Sequence, residues 1–216
     1  MRRARSGADR GALSGRRGVT DRVVLATHNP HKVEEFRAIV QATRPDLTVI
    51  GYDGPEPVED GVTFAANALI KARAAAAYTG LPALADDSGI CADVLGGAPG
   101  VFSAYWAGHR KDAAANLELL LDQLSDIADP HRTAQFVSTI ALVMPGGAEH
   151  VVEGVWPGRL ALAADGSGGF GYDPIFIPDG QSGTERTVGQ FSAAEKNAAS
   201  HRARAFAELG PLLSEL

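Results

Sequence analysis

Two kinds of chain connection restrict the fold of this sequence more than anything else in it. Near the start, the apolar run Val23-Val24-Leu25-Ala26 passes through the polar turn Thr27-His28-Asn29-Pro30-His31-Lys32 into an amphipathic helix, Val33 to Val40. Farther on, strand-like segments at Ala134 to Met144 and His150 to Trp156 are joined by Pro145-Gly146-Gly147, which reads as a hairpin. Helices interleaved with short strands and with a hairpin argue for an α/β fold built on a mixed sheet. At 216 residues and 45% hydrophobic content, the chain can bury one substantial core or two lobes sharing one sheet.

The other elements follow from caps and breakers. Leu47 to Ile50 is a short strand candidate, followed by a turn-rich stretch from Gly51 to Gly61. Thr63 reads as the N-cap of an alanine-rich helix through Tyr78, ended by Gly80 and Pro82. The apolar run Ala83-Leu84-Ala85 stops at Asp86-Asp87-Ser88-Gly89, and Ile90 to Leu95 resumes it. Asp112 to Ile127 has leucines 117, 120, 121 and 124 on one helical stripe. Pro174 to Ile177 is another short strand, and Ser192 with Glu195 forms a capping box for a helical region ending near Leu209, before Gly210-Pro211.

Composition excludes several classes of function. No apolar run approaches the ~20 residues of a bilayer span. The single cysteine, Cys91, has no partner for an internal disulfide or a cysteine metal site, which fits a reducing cytoplasm. Residues 1–20 hold six Arg against one Asp, yet the whole chain carries −6, so its body is acidic and unsuited to duplex nucleic acid. The Arg-rich head lacks a signal-peptide core and reads as a disordered extension or start-site artefact outside the fold. Residues 21–216 then form a single domain, as no linker splits them.

Against that acidic background, a helix start beside Lys32 reads either as an anion cradle or as an ordinary strand–turn–helix connection with a solvated lysine. It offers backbone N–H groups, the positive end of the macrodipole and a full charge, with Thr27 and Asn29 in the same turn. Asp86 and Asp87 fall where an apolar strand stops, and alternation allows only one of them to face a given cleft. With Glu59 they offer the hard oxygens that suit Mg²⁺, although Asp-Ser-Gly is also ordinary loop chemistry. Asn67 and Lys71 share one helix face four residues apart. Phe170 and Tyr172, set among glycines, offer an aromatic face for a base, or simply pack the loop. Lys196 and His201 lie roughly 140° apart on a straight helix, so either the helix breaks between them or a ligand wraps around it. His28 and His31 have metal-like spacing without further ligands nearby, which makes zinc a poor fit. His109, His131 and His150 read as surface positions.

Taken in order, these islands resemble the family of non-canonical purine nucleoside triphosphate pyrophosphatases, which act on inosine and xanthosine triphosphates. The matching pieces are Leu25 to Lys32, Glu59 to Lys71, Ala85-Asp86-Asp87-Ser88-Gly89, Gly169 to Pro174, Glu195-Lys196-Asn197 and Ser200-His201-Arg202. The resemblance implies Mg²⁺-dependent hydrolysis of ITP, dITP or XTP to the monophosphate and pyrophosphate, cleansing the nucleotide pool. It implies an elongated two-lobed mixed β-sheet flanked by helices, with the site in the cleft between lobes, in a homodimer.

By the same resemblance, the turn Thr27, His28, Asn29, Pro30, His31 and Lys32 binds the triphosphate. Asp87 is the proton acceptor and a metal neighbour, and Glu59 is the metal carboxylate. Ser88, Phe170, Gly171, Tyr172, Asp173, Lys196, His201 and Arg202 are substrate contacts, with Asn67, Lys71 and Asp86 in support. One departure stands out: relatives commonly carry a basic residue before the aromatic that is Trp106 here, whereas this chain has Tyr105. A pyrophosphatase for other modified nucleotides, or a nucleotide-binding protein without catalysis, would share most of these features.

Overall fold

The computed structural model describes residues 21–213, so the Arg-rich head lies outside the described residues. Six strands form one mixed sheet: β1 (Arg22–Leu25), β2 (Thr48–Gly51), β3 (Ala83–Ala92), β4 (Thr133–Val143), β5 (Glu149–Leu160) and β6 (Phe176–Pro178), in the order β2-β1-β3-β4-β5-β6. The helices are α1 (Pro30–Thr43), α2 (Phe64–Thr79), α3 (Ala113–Gln123), α4 (Ala193–Ala199) and α5 (His201–Leu213).

β1 pairs in parallel with β2 and with the first residues of β3, while β3, β4, β5 and β6 run antiparallel in turn. The registers explain the architecture. β1 meets β3 only at Ala83 and Leu84, and β6 meets β5 only from Gly158 to Leu160. Since Ala83 is level with Val143 and Ala92 with Ala134, the short strands flank opposite ends of the three long ones.

Alternation along the strands then separates the cores. At the β1 end, Leu84, Ile140 and Leu142 face α1 and α5, against Phe36, Ile39 and Phe206. On the other face, Ala83, Ala85, Ala141 and Val143 meet the buried alanines 68, 72, 75 and 76 of α2. Residues this small let α2 lie close to the sheet. The far end has its own core, in which Phe136, Trp156 and Phe176 pack with Leu120 and Leu124. A Cβ at Gly154 of β5 would lie well inside 3.0 Å of His201 O and Ala205 N, so this glycine sets how closely α5 approaches the sheet.

The structure corrects several sequence expectations. Asp86 to Gly89 is neither a turn nor a break, because β3 runs straight through it, with Asp87 opposite Thr139 and Ser88 opposite Ser138. Helix α1 begins at Pro30 rather than Val33, since proline at N1 needs no N–H partner and Asn29 caps the turn. α3 stops at Gln123, four residues early. β5 continues past Trp156 through Pro157, which lies one residue outside the pairing with β6 and accepts there from Asp179 N at 3.0 Å. α5 runs through Gly210-Pro211 to Leu213, because Leu209 and Leu213 are buried against Phe206 and their packing outweighs one lost backbone bond.

Candidate active site

Between the two ends of the sheet lies a cavity of about 770 Å³, the size of a small-molecule site. Strand alternation divides the two adjacent aspartates of β3 beneath it. Asp87 points to the α2 side and lines the cavity, whereas Asp86 points to the α1 and α5 side and is buried, 2% exposed.

Asp87 is held from both oxygens. Asn67 Nδ2 donates to Oδ2 at 3.2 Å and Lys71 Nζ reaches Oδ1 at 3.1 Å, both from α2. Lys71 also sits 2.7 Å from Glu59 Oε2, so one ammonium bridges the two carboxylates. Asn67 fixes the segment carrying Glu59 as well, since its Oδ1 accepts from Gly61 N at 2.8 Å, an approach that leaves no room for a Cβ at Gly61. Burial raises the Asp87 carboxyl above its ordinary value despite Lys71 and Lys32, which moves it toward the range of a useful base. Lys71 stays charged, because Asp87 and Glu59 outweigh its burial.

Beneath this lies a chain of alternating charges. Asp86 Oδ2 meets Lys32 Nζ at 2.8 Å and Arg202 Nε at 3.4 Å, and its Oδ1 accepts from Ser138 Oγ. Burial alone would raise Asp86, but Lys32, Arg202 and Ser138 hold it well below the usual carboxylate range. Arg202 continues to Glu35 Oε2 at 2.6 Å and to Ser88 Oγ at 2.8 Å. Glu35 Oε1 takes Lys196 Nζ at 2.8 Å, and Lys196 reaches Asp173 Oδ2 at 2.7 Å. Three cations thus alternate with three carboxylates, so the buried network is neutral in itself.

Phe170 covers this network. Its ring lies 4.1 Å from Lys196 Nζ and stacks on His31 at 5.4 Å, while its N–H donates to Asp173 Oδ2 at 2.7 Å. Gly169, at φ 70°, passes so near Asp173 that a Cβ could not fit. Tyr172 is buried in the cavity wall, its hydroxyl donating to Ser103 O at 2.9 Å, so it serves as an anchor rather than a presented face. The break left open by the spacing of Lys196 and His201 occurs at Ser200, whose extended backbone separates α4 from α5 and lets both residues line the cavity. His201 stacks on Phe136 at 4.9 Å, and burial followed by its Arg202 neighbour keeps the imidazole neutral. Its Nδ1 has no hydrogen-bond partner among the described residues.

Thr27, His28, Asn29, His31, Lys32, Glu59, Asn67, Lys71, Asp87, Ser88, Phe170, Gly171, Tyr172, Asp173, Lys196, His201 and Arg202 all line the one cavity. Two expected members do not. Pro30 is taken up as the first residue of α1, and Asp86 acts from below. The cradle is also not made of bare backbone donors: Asn29 Oδ1 accepts from His31 N at 3.0 Å and from Lys32 N at 3.4 Å. Sequence reading missed Glu35 and Ser138, whose partners lie far off along the chain; His109 is exposed, as read, and also lines the cavity rim, stacked on Tyr105 at 5.3 Å. The spacing of Lys32 and Glu35 on one helix turn was the single hint of the latter.

The model of the Ham1 family matches residues 23–212, nearly the whole described chain. The chain belongs to the Ham1 family. A dITP/XTP pyrophosphatase of Leifsonia xyli subsp. xyli is 62% identical to this Ham1 chain over 195 residues, covering 90% of it and 96% of the relative. Among solved structures, a HAM1 protein from Coxiella burnetii superposes with a TM-score of 0.79 at 40% identity, covering 90% of this chain and 99% of that one. The Staphylococcus aureus Ham1 protein gives 0.78 at 36%, covering 90% and 98%. The α/β mixed sheet with flanking helices is therefore the Ham1 fold.

Proposed function

We propose that this chain is a nucleoside triphosphate pyrophosphatase that hydrolyses non-canonical purine nucleotides of the dITP, ITP and XTP class to the monophosphate and pyrophosphate. One observation carries the reading: a half-buried carboxylate, Asp87, raised above its ordinary value, stands on the floor of a cavity whose walls bring Lys32, Lys71, Lys196 and Arg202 from four separate elements. The pyrophosphatase name of the 62%-identical relative supports it.

In this reading Asp87 takes the proton of a water as it attacks phosphorus, while Asn67 and Lys71 keep both carboxylate oxygens aimed. The triphosphate lies along Thr27 to Lys32, at the positive end of α1. Glu59 and Asp87 are two hard oxygens held together by Lys71, a donor pair that fits an ion such as Mg²⁺, which is bound through one or two carboxylates and substrate phosphates. When bound, Mg²⁺ would shield the triphosphate oxygens from one another and from these carboxylates. At the base end, Arg202 is fixed by Asp86, Glu35 and Ser88, a rigid donor wall beside His201. A 6-oxo purine presents an acceptor there and adenine a donor, which costs the wrong base about 1–3 kcal/mol for each buried mismatch.

Residues 21–216 work as one two-lobed unit, in a homodimer of the cytoplasm, with neither nucleic acid nor membrane as partner. Among the described residues, no helix is long and apolar enough to cross a membrane. The deciding experiment incubates the protein with ITP, XTP, dITP, GTP, ATP and dTTP, with Mg²⁺ and again with EDTA, and measures pyrophosphate against orthophosphate. Pyrophosphate from the first three, lost with EDTA, is the expected result. Orthophosphate release, or equal turnover of ATP, overturns the reading.

A further inference from the structure

We infer that Lys111, at the cavity rim, is the residue that draws in and holds the anionic tail of the nucleotide; this rests on the function proposed above. Five Lys or Arg side chains line the cavity. Lys32 and Arg202 are paired with Asp86, Lys71 with Asp87 and Glu59, and Lys196 with Glu35 and Asp173. Each of these positive charges is already offset by a carboxylate of the chain. Among the described residues, Lys111 is the one cavity-lining Lys or Arg without an ion pair, and it is exposed. Tyr105 on the same wall contributes a ring but no charge.

Its backbone supports the same assignment. Lys111 is the one non-glycine residue with positive φ among the described residues, at 54°, a conformation that glycine would adopt without penalty. Surrounding structure holds it there. Its N–H donates to Gly108 O at 3.2 Å, Asp112 immediately after it caps α3, and the buried Asn116 ties the loop at both Ala104 O and Ala107 N. A side chain kept in a costly backbone conformation at the mouth of a site is the pattern expected where position matters more than stability. A rim cation of this kind acts on encounter and on ground-state binding, so its removal is expected to raise KM and flatten salt dependence rather than slow the chemical step.

The test compares wild type with Lys111→Gln, Lys111→Gly and Lys111→Arg, with pyrophosphate release from ITP at 50 and 300 mM salt, IMP as competitive inhibitor, and thermal melting. Both neutral variants are expected to raise KM about five- to tenfold at low salt with kcat within about twofold, and Lys111→Arg to restore KM. IMP, which lacks the pyrophosphate tail, should inhibit all four proteins within about twofold of each other. Lys111→Gly should melt no lower than wild type, which separates charge from strain. KM within twofold of wild type in both neutral variants, or an equal loss of IMP affinity, overturns the assignment. Should wild type itself release no pyrophosphate, the enzymatic reading fails. Calorimetric binding of ITP to wild type and Lys111→Gln then still decides whether Lys111 contacts the tail.

Discussion

Gly154 provides the sharpest test of how the sheet positions the site. A Cβ there would fall within 3.0 Å of His201 O and Ala205 N, whereas ordinary contact begins at 3.4 Å. Both neighbours are backbone of α5, so no rotamer change can relieve the clash, and β5 or the start of α5 must retreat by about 1 Å. Overpacking of this kind costs about 2 kcal/mol, which for a chain of this size lowers Tm by about 4–8 °C. The same retreat moves His201 and Arg202 away from the cavity. A misplacement of about 1 Å costs up to 10²-fold in turnover. Gly154→Ala should therefore lose stability and kcat/KM together, measured by calorimetry and by pyrophosphate release from ITP. Gly146→Ala is the control, because that turn position has open space around it and should melt within about 1 °C of wild type. If Gly154→Ala melts and turns over like the control, the claim that this glycine sets the α5 approach is wrong.

Other substitutions probe the remaining parts. Asp87→Asn is nearly isosteric but cannot take a proton, and its single acceptor oxygen can keep only one of the two donors Asn67 Nδ2 and Lys71 Nζ, so kcat should fall by about 10²–10⁴ in single-turnover assays while the chain still melts cooperatively. Arg132 is 1% exposed and donates to the carbonyls of Leu124, Ile127, Leu160 and Ala161; Arg132→Ala removes all four bonds, although Leu124 O keeps a backbone partner in Ile127 N, and the urea midpoint should report a loss of about 3 kcal/mol. His201 is neutral in the folded protein because burial, then Arg202, lowers its pKa well below 6.5, while the unfolded chain takes up a proton there. Stability should fall as pH drops below ~6.5, by up to about 1.4 kcal/mol per unit for this one group, and the His201→Asn variant should show a shallower decline in melts between pH 7 and 5.

What the sequence made legible was local. Thr63, Gly80 and the Ser192–Glu195 box mark helix ends through bonds made within a few residues, and all three act as read. The Asp86-Asp87 pair was misread as a strand end because its compensation is remote: Ser138 on β4, Lys32 on α1 and Arg202 on α5 make a buried aspartate tolerable in mid-sheet. Glu35 escaped notice for the same reason, since a glutamate on an amphipathic helix looks solvated until Lys196 and Arg202 arrive from the other end of the chain. The Ser200 break was readable as a geometric conflict between Lys196 and His201, though not as a position. Family resemblance supplied the grouping of these islands; the ion pairs that neutralise their cations came only with the fold.

Because β3, β4 and β5 cross beneath the cleft without interruption, its two walls are joined, among the described residues, through three continuous strands. Any narrowing of the cleft around a guest has to come from a change in the twist of three hydrogen-bonded strands or from the rim segments above them. Cleft width is thus tied to strand twist, so a guest that draws the walls together also works against the hydrogen-bonded ladder beneath them.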